Sequence, residues 1–366
     1  MKLILCGGGT AGHITPGLAI AGEVRRKNPQ NRILFIGRQN GRENELISQA
    51  GFPFTTLDVE GLQRKFSVKN INAVKKALKA KKEAIKIISQ FKPDAIIGTG
   101  GYVCWPVIEA GYRMKIPIFI HESNIYPGFT TRLLAKQCNK VFLYSEESLK
   151  YLPKKTKFAT VGNPIPKEFF STKRTYARAK LGLKENDIFI LSFGGSLGAK
   201  KINDEVVNFM QNYSSKHSNI SHIHATGKAN FNEKLSKLFE TDSRIKIVPF
   251  LTKMHLYMKA ADVVICRSGA MTLTELSATG APSILIPSPN VSANHQYKNA
   301  AHLSAKGAAV IIPEEELTTS RLTDEVNALV NNKEKRQALS KCIELFAKRD
   351  VENAILSEVE SIIKEK

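Results

Sequence analysis

The chain has 366 residues, room for two domains at about 150 residues each. Hydrophobic residues make up 42% and charged residues 24%, ordinary values that exclude a disordered, collagen-like or coiled-coil protein. The formal charge of +21 calls for an anionic partner, and it is uneven: residues 1–163 hold 26 Lys+Arg against 11 Asp+Glu, the remainder 28 against 22. Nucleic acid and an anionic membrane surface both suit such a charge. The five cysteines are scattered, without a C-x-x-C pair, so neither a disulfide framework nor a structural zinc site is expected, and a reducing cytoplasmic setting fits. The opening MKLILCGGGTAGH reaches glycine too early for a signal-peptide core, and no run of about 18 apolar residues follows.

Short apolar runs alternate with helix-length amphipathic segments throughout, the pattern of parallel sheets covered by helices on both faces. In chain order, strands are predicted near 2–6, 32–36, 53–57, 94–97, 117–121 and 140–144. The proline-bearing stretch 161–166 reads as an extended connector. The pattern then restarts, with strands near 188–193, 220–225, 244–248, 262–266, 283–287 and 308–312. An α/β protein of two Rossmann-like, doubly wound lobes facing a cleft is expected, residues 1–163 and 164–344, with a helical tail over about 345–366 packing back on the first lobe.

Four times a strand runs into a glycine-bearing turn and then a helix: 7-GGGTAGH-13, 98-GTGGY-102, 194-GGSLGA-199 and 267-RSGA-270. Glycine lets backbone approach a ligand, and the helix that follows aims free N–H groups and a positive dipole end at it. Any one such turn is more often packing than site; four at the carboxyl ends of strands favour a phosphate-bearing substrate. The first also reads G-x-G-x-x-G through Gly7, Gly9 and Gly12, but the second strand ends in Gly37 and Arg38 rather than an acidic ribose ligand. An NADP-dependent oxidoreductase, with Arg38 on the 2′-phosphate, is therefore the lesser reading.

Taken together, 7-GGGTAGHITPGLAIA-21, 98-GTGGYVCWP-106, 121-HESNIYPGFTTRLLA-135, 161-VGNPI-165, 194-GGSLGA-199, 266-CRSGAMTLTEL-276 and 294-NHQYKNA-300 resemble, in order and over nearly the whole chain, the MurG family of bacterial N-acetylglucosaminyltransferases. The resemblance implies a glycosyltransferase B-type fold and an inverting transfer of GlcNAc from UDP-GlcNAc to the muramyl C4 hydroxyl of lipid I, giving lipid II for the cell wall. It further implies that the C-terminal lobe holds the donor. Ser196 would meet the pyrophosphate, the helix start at Ala270, Met271, Thr272, Leu273 and Thr274 the nucleotide, Glu275 the ribose hydroxyls, Leu251 the uracil through its backbone and Gln296 the sugar. From the first lobe, Thr10, Ala11 and Gly12 would lie beside the donor and Asn124 would reach its sugar. Two positions depart from the family pattern: Ala11 replaces a glycine, and Pro166 followed by Lys167 replaces an arginine, so any diphosphate contact there falls to the point charge of Lys167. A different nucleotide sugar or a soluble acceptor is the alternative within the fold, and a basic non-catalytic binding protein the alternative outside it.

The transfer needs a base for the acceptor hydroxyl and positive potential for the departing diphosphate. No two of the eight aspartates are spaced D-x-D, so a metal-free mechanism without cofactor is expected, with helix N-termini near 196–200 and 269–273 supplying the potential and Arg267 adding a fixed charge. His13, closing a glycine turn at a strand end, is the leading base; Glu122 is the runner-up, against the commoner structural use of a carboxylate there. One displacement at the anomeric carbon turns an α-linked donor into a β-linked product.

From Arg64 to Lys86 stand nine Lys/Arg and one acid, Glu83. Ile71, Val74, Leu78, Ile85 and Ile88 recur at helical spacing, so that face is predicted to pack on the sheet while lysines crowd the other. With a lipid-linked acceptor, peripheral attachment to the anionic cytoplasmic face of the cell membrane is expected, Leu62, Phe66 and Trp105 dipping into the interface. Nucleic acid is not expected as a partner, since the patch has few aromatics to stack bases.

Overall fold

A computed structural model describes residues 1–41, 43–61, 68–195 and 197–365. Two compact units divide the chain, one of Met1–Ile165 with Asp350–Lys366, the other of Pro166–Arg349.

The first unit is built on seven parallel strands: β1 (Lys2–Gly7), β2 (Arg32–Arg38), β3 (Phe54–Leu57), β4 (Ala95–Gly100), β5 (Ile118–Glu122), β6 (Lys140–Leu143) and β7 (Phe158–Thr160), in the order β3-β2-β1-β4-β5-β6-β7. Side chains alternate across a strand, and here both faces are apolar. Leu3 and Leu5 of β1 join a core with Ile14, Ile20 and Val24 of the helix Ala11–Lys27. Ile4 and Cys6 face the opposite core, with Ala80, Ala84, Ile88, Val107 and Ile108 of the helices Val68–Phe91 and Cys104–Arg113. The chain's last helix, Val351–Lys364, adds Val351, Ile355, Leu356 and Val359 to the first core.

In the second unit, β8 (Ile188–Phe193), β9 (Ile220–Ala225), β10 (Ile245–Val248), β11 (Val263–Cys266), β12 (Ser283–Leu285) and β13 (Val310–Ile311) form a parallel sheet ordered β10-β9-β8-β11-β12-β13. Each sheet reverses its winding once, between β1 and β4 and between β8 and β11, and at such a point the loops leaving the carboxyl ends part to make a crevice. The four glycine turns are the four that leave these strands.

Four features depart from the sequence reading. β7 was not anticipated: it has three residues on a sheet edge with neither face buried, so no periodicity marks it. The tail helix expected from about 345 begins only at Val351 and runs to Lys364, after a break that follows the helix Lys333–Glu344 and ends at Asp350, which has a φ of +54°. Most consequential, the Val68–Phe91 helix packs through its small residues Ala73, Ala80 and Ala84 together with Ile88, leaving Ile71, Val74 and Leu78 exposed at 56%, 48% and 46%. Alanine admits the close approach to the neighbouring helix that bulky side chains would prevent. Trp105, expected at an interface, instead packs partly buried against the core, with the Lys81 ammonium over its ring. Leu62 and Phe66 lie outside the described residues.

Candidate active site

In the first unit, β1 ends in Gly7, and Gly8, Gly9 and Thr10 lead into the helix opened by Ala11. The His13 ring folds back so that Nδ1 lies 3.0 Å from the Gly8 carbonyl oxygen. A carbonyl only accepts, so Nδ1 carries a proton, and it is Nε2 that presents the lone pair in the uncharged form of the ring. Across the winding reversal, the ring rests on Gly100 at the end of β4: a Cβ there would stand 2.6 Å from Cδ2 and 2.9 Å from Nε2, and the residue's φ is +113°. Only glycine meets both conditions. Thr99 fixes the backbone beneath, its Oγ1 donating to the His13 carbonyl at 2.6 Å.

Glu122, at the end of β5, is fully engaged. Oε1 accepts from the Asn124 backbone N–H (3.0 Å) and side-chain Nδ2 (3.1 Å), and Oε2 from the Gly128 N–H (2.8 Å) and Thr131 Oγ1 (2.7 Å). Four donors occupy the four lone-pair positions of a carboxylate, so Glu122 organises the 123–131 loop and has none left to take a proton. Asn124 is held in place by the same bonds. Beside them His121 is buried, Nε2 on the Gly162 carbonyl at 2.9 Å, and desolvation lowers its pKa. Glu43 was missed by the sequence reading. It is buried, and its carboxylate accepts from the backbone N–H groups of Arg38 (2.9 Å) and Gly9 (3.4 Å).

In the second unit, the helices Lys200–Asn212 and Ala270–Thr279 start directly after the turns of β8 and β11, and neither has a side-chain N-cap. Uncapped first-turn N–H groups are the donors an oxyanion requires. Ser196 lies outside the described residues. Met271, Thr272 and Glu275 are partly buried; Leu273 and Thr274 are buried, and Thr274 Oγ1 returns to the Ala270 carbonyl at 3.0 Å. Desolvation pushes the Glu275 carboxyl up to about 8. Gln296 is brought to the β11 turn: its carbonyl accepts from Ser268 Oγ at 2.9 Å, and its Oε1 accepts from the Ser288 N–H at 2.9 Å. Leu251 is buried and Lys167 exposed. Arg267 departs from its expected role. Its guanidinium pairs with Glu314 and donates to the carbonyls of Ile286 (3.1 Å) and Pro287 (3.2 Å), so its charge is neutralised locally in a structural clasp.

Residues 3–143 match the glycosyltransferase family 28 N-terminal domain and residues 189–355 its C-terminal domain. A relative from Acetivibrio thermocellus, named UDP-N-acetylglucosamine--N-acetylmuramyl-(pentapeptide) pyrophosphoryl-undecaprenol N-acetylglucosamine transferase, is 41% identical over 100% of this chain and 99% of its own. The chain belongs to glycosyltransferase family 28. A Bacillus subtilis relative of the same name is 37% identical over the full length of both chains. Among solved structures, Acinetobacter baumannii MurG matches with a TM-score of 0.79 at 26% identity, over 98% of this chain and 99% of that one. Membership of family 28 retires the oxidoreductase reading of the first glycine turn.

Proposed function

We propose that this chain moves N-acetylglucosamine from UDP-N-acetylglucosamine to the muramyl C4 hydroxyl of lipid I, giving lipid II. Full-length likeness to relatives named for that transfer supports the substrates, and one observation in the structure supports the chemistry: the Nδ1–Gly8 bond that leaves His13 Nε2 as an acceptor. In this reading Nε2 takes the C4 hydroxyl proton as that oxygen bonds to the anomeric carbon, while the bond from that carbon to the diphosphate breaks on the opposite face. UDP departs with the electron pair, and the configuration inverts. A positioned base contributes about 10²–10⁴-fold. The unit of Pro166–Arg349 carries the donor. The uncapped helix starts after β8 and β11 face its diphosphate, each worth on the order of 0.3–2 kcal/mol, with Glu275 on the ribose and Gln296 on the sugar.

The acceptor is a membrane lipid, and the unit of Met1–Ile165 has a surface suited to an anionic leaflet. Ile71, Val74 and Leu78 stand exposed on a helix carrying Lys75, Lys76, Lys79, Lys81, Lys82 and Lys86. In the same unit, Tyr112 opens onto a hollow lined by Arg113, Lys115, Lys136, Lys155 and Lys157, with no carboxylate in its lining. Among the described residues no helix is long and apolar enough to cross a membrane. Peripheral attachment at the cytoplasmic face follows from this reading.

UDP release from UDP-N-acetylglucosamine is expected to require lipid I. His13→Ala is expected to lose at least about a hundredfold in kcat while binding UDP as the wild type does. Wild-type turnover by that variant removes the base assignment.

A further inference from the structure

The peptide unit between Gly8 and Gly9 is engaged at both ends. Its carbonyl accepts from His13 Nδ1 at 3.0 Å, and its N–H donates to the buried carboxylate of Glu43 at 3.4 Å. We infer that Glu43 is a positioning residue for the transfer, acting on His13 through this single peptide. The inference rests on His13 as the base. A carboxylate accepting from a peptide N–H polarises that peptide and makes its carbonyl the stronger acceptor. The strengthened carbonyl holds the proton on Nδ1, keeps Nε2 bare, and stabilises the imidazolium formed when Nε2 takes the acceptor proton. Glu43 itself is fully buried.

The packing shows how closely the carboxylate is drawn to the turn. An added Cβ at Gly8 would lie 2.2 Å from Glu43 Oε1, one at Gly41 would lie 2.2 Å from Oε2, and one at Gly37 would lie 2.9 Å from Cγ. Three glycines thus clear the space in which the side chain reaches the turn. The Arg38 N–H, at 2.9 Å, fixes the other oxygen and sets the direction of the carboxylate. Without Glu43 the preceding Gly7–Gly8 peptide keeps its N–H bond to the Gly100 carbonyl (3.2 Å), but the Gly8–Gly9 peptide loses the acceptor that orients its N–H.

Glu43→Gln is nearly isosteric, yet its amide has one acceptor oxygen for two N–H donors and turns an NH2 toward one of them. We expect kcat with saturating UDP-N-acetylglucosamine and lipid I to fall about tenfold or more, the UDP dissociation constant to stay unchanged, and imidazole nitrogen NMR to show His13 passing from the Nδ1–H form to a mixture of tautomers. Gly41→Ala keeps the carboxylate but displaces it, and is expected to act in the same direction; it supplies the test if Glu43→Gln does not fold. Wild-type turnover in both variants while His13→Ala is inactive overturns the inference and leaves the base assignment intact. Lost turnover with His13 still wholly in the Nδ1–H form also overturns it, since Glu43 would then serve the fold alone. Wild-type turnover by His13→Ala is a separate failure, that of the base itself.

Discussion

Desolvation pushes the Glu275 carboxyl up to about 8, so it is expected to hold a proton at neutral pH. Ribose hydroxyls donate most strongly to an ionised carboxylate, so on the proposed reading donor binding must release this proton. Donor affinity is therefore expected to rise about tenfold between pH 7 and pH 9, with little change beyond. Calorimetric titration with UDP across that range checks it; a flat profile in the wild type removes Glu275 from the ribose site, and Glu275→Gln is expected to bind more weakly and without the slope. Among single residues, those that close a glycine turn at a strand end were legible in the sequence, His13 foremost. Glu43 was not. Its role depends on a bond to Gly9 across 34 residues of chain, and no local spacing reports such a contact. Arg267 and Glu122 show the converse, residue types suited to chemistry whose bonding capacity is taken up by structural partners.

At the scale of elements, central strands such as β1, β4 and β8 were read correctly because sheets covered on both sides demand continuous apolar runs. The edge strand β7 lacks that demand and left no trace. The Val68–Phe91 helix was recognised as a helix, and Ile85 and Ile88 pack on the core as expected, but Ile71, Val74 and Leu78 in its first half do not. Its large apolar residues suggested the buried face, whereas close contact with the Cys104–Arg113 helix selects alanine. On the proposed membrane attachment the exposed trio has a use. Seating Ile71, Val74 and Leu78 in a lipid interface buries apolar side chains worth about 1.5–3 kcal/mol each when fully covered, and each lysine near an anionic leaflet adds about 1 kcal/mol. Replacing all three by serine is expected to lower partitioning onto anionic vesicles at least tenfold, leaving the melting temperature and UDP affinity unchanged. If the variant melts markedly lower while still floating with the vesicles, the trio belongs to the fold and not to the membrane.

For the whole molecule, stability against pH is set by two opposing sets of buried groups. In the second unit a chain of hydrogen bonds runs from Ser214 through His222, Ser192 and His224 to Asn203, at 2.8–3.2 Å, and Asn203 Nδ2 donates to the Thr226 carbonyl at 3.0 Å. That last donation leaves Asn203 Oδ1 to accept from His224 Nε2. With both rings neutral, each presents one donor and one acceptor nitrogen and the serine hydroxyls complete the chain. Burial holds His224 down to about 4 and His222 well below its usual value, with His121 lowered in the first unit. The unfolded chain binds these protons from about pH 6.5 downward while the folded chain refuses them, so stability falls with acid, His224 alone accounting for on the order of 3 kcal/mol by pH 4. Glu275 acts oppositely: folded, it keeps its proton up to about 8, unfolded it loses it near 4.5, so stability falls as pH rises between those values. Below about pH 6.5 three histidines outweigh one carboxyl; above it the carboxyl acts alone. Melting temperature is therefore expected to peak near pH 6.5–7 and decline on both sides, steeply toward acid, with Glu275→Gln removing the alkaline decline and steepening the acid one. A melting temperature that holds constant from pH 7 down to 4.5 would mean that the histidine chain accepts protons without opening the fold.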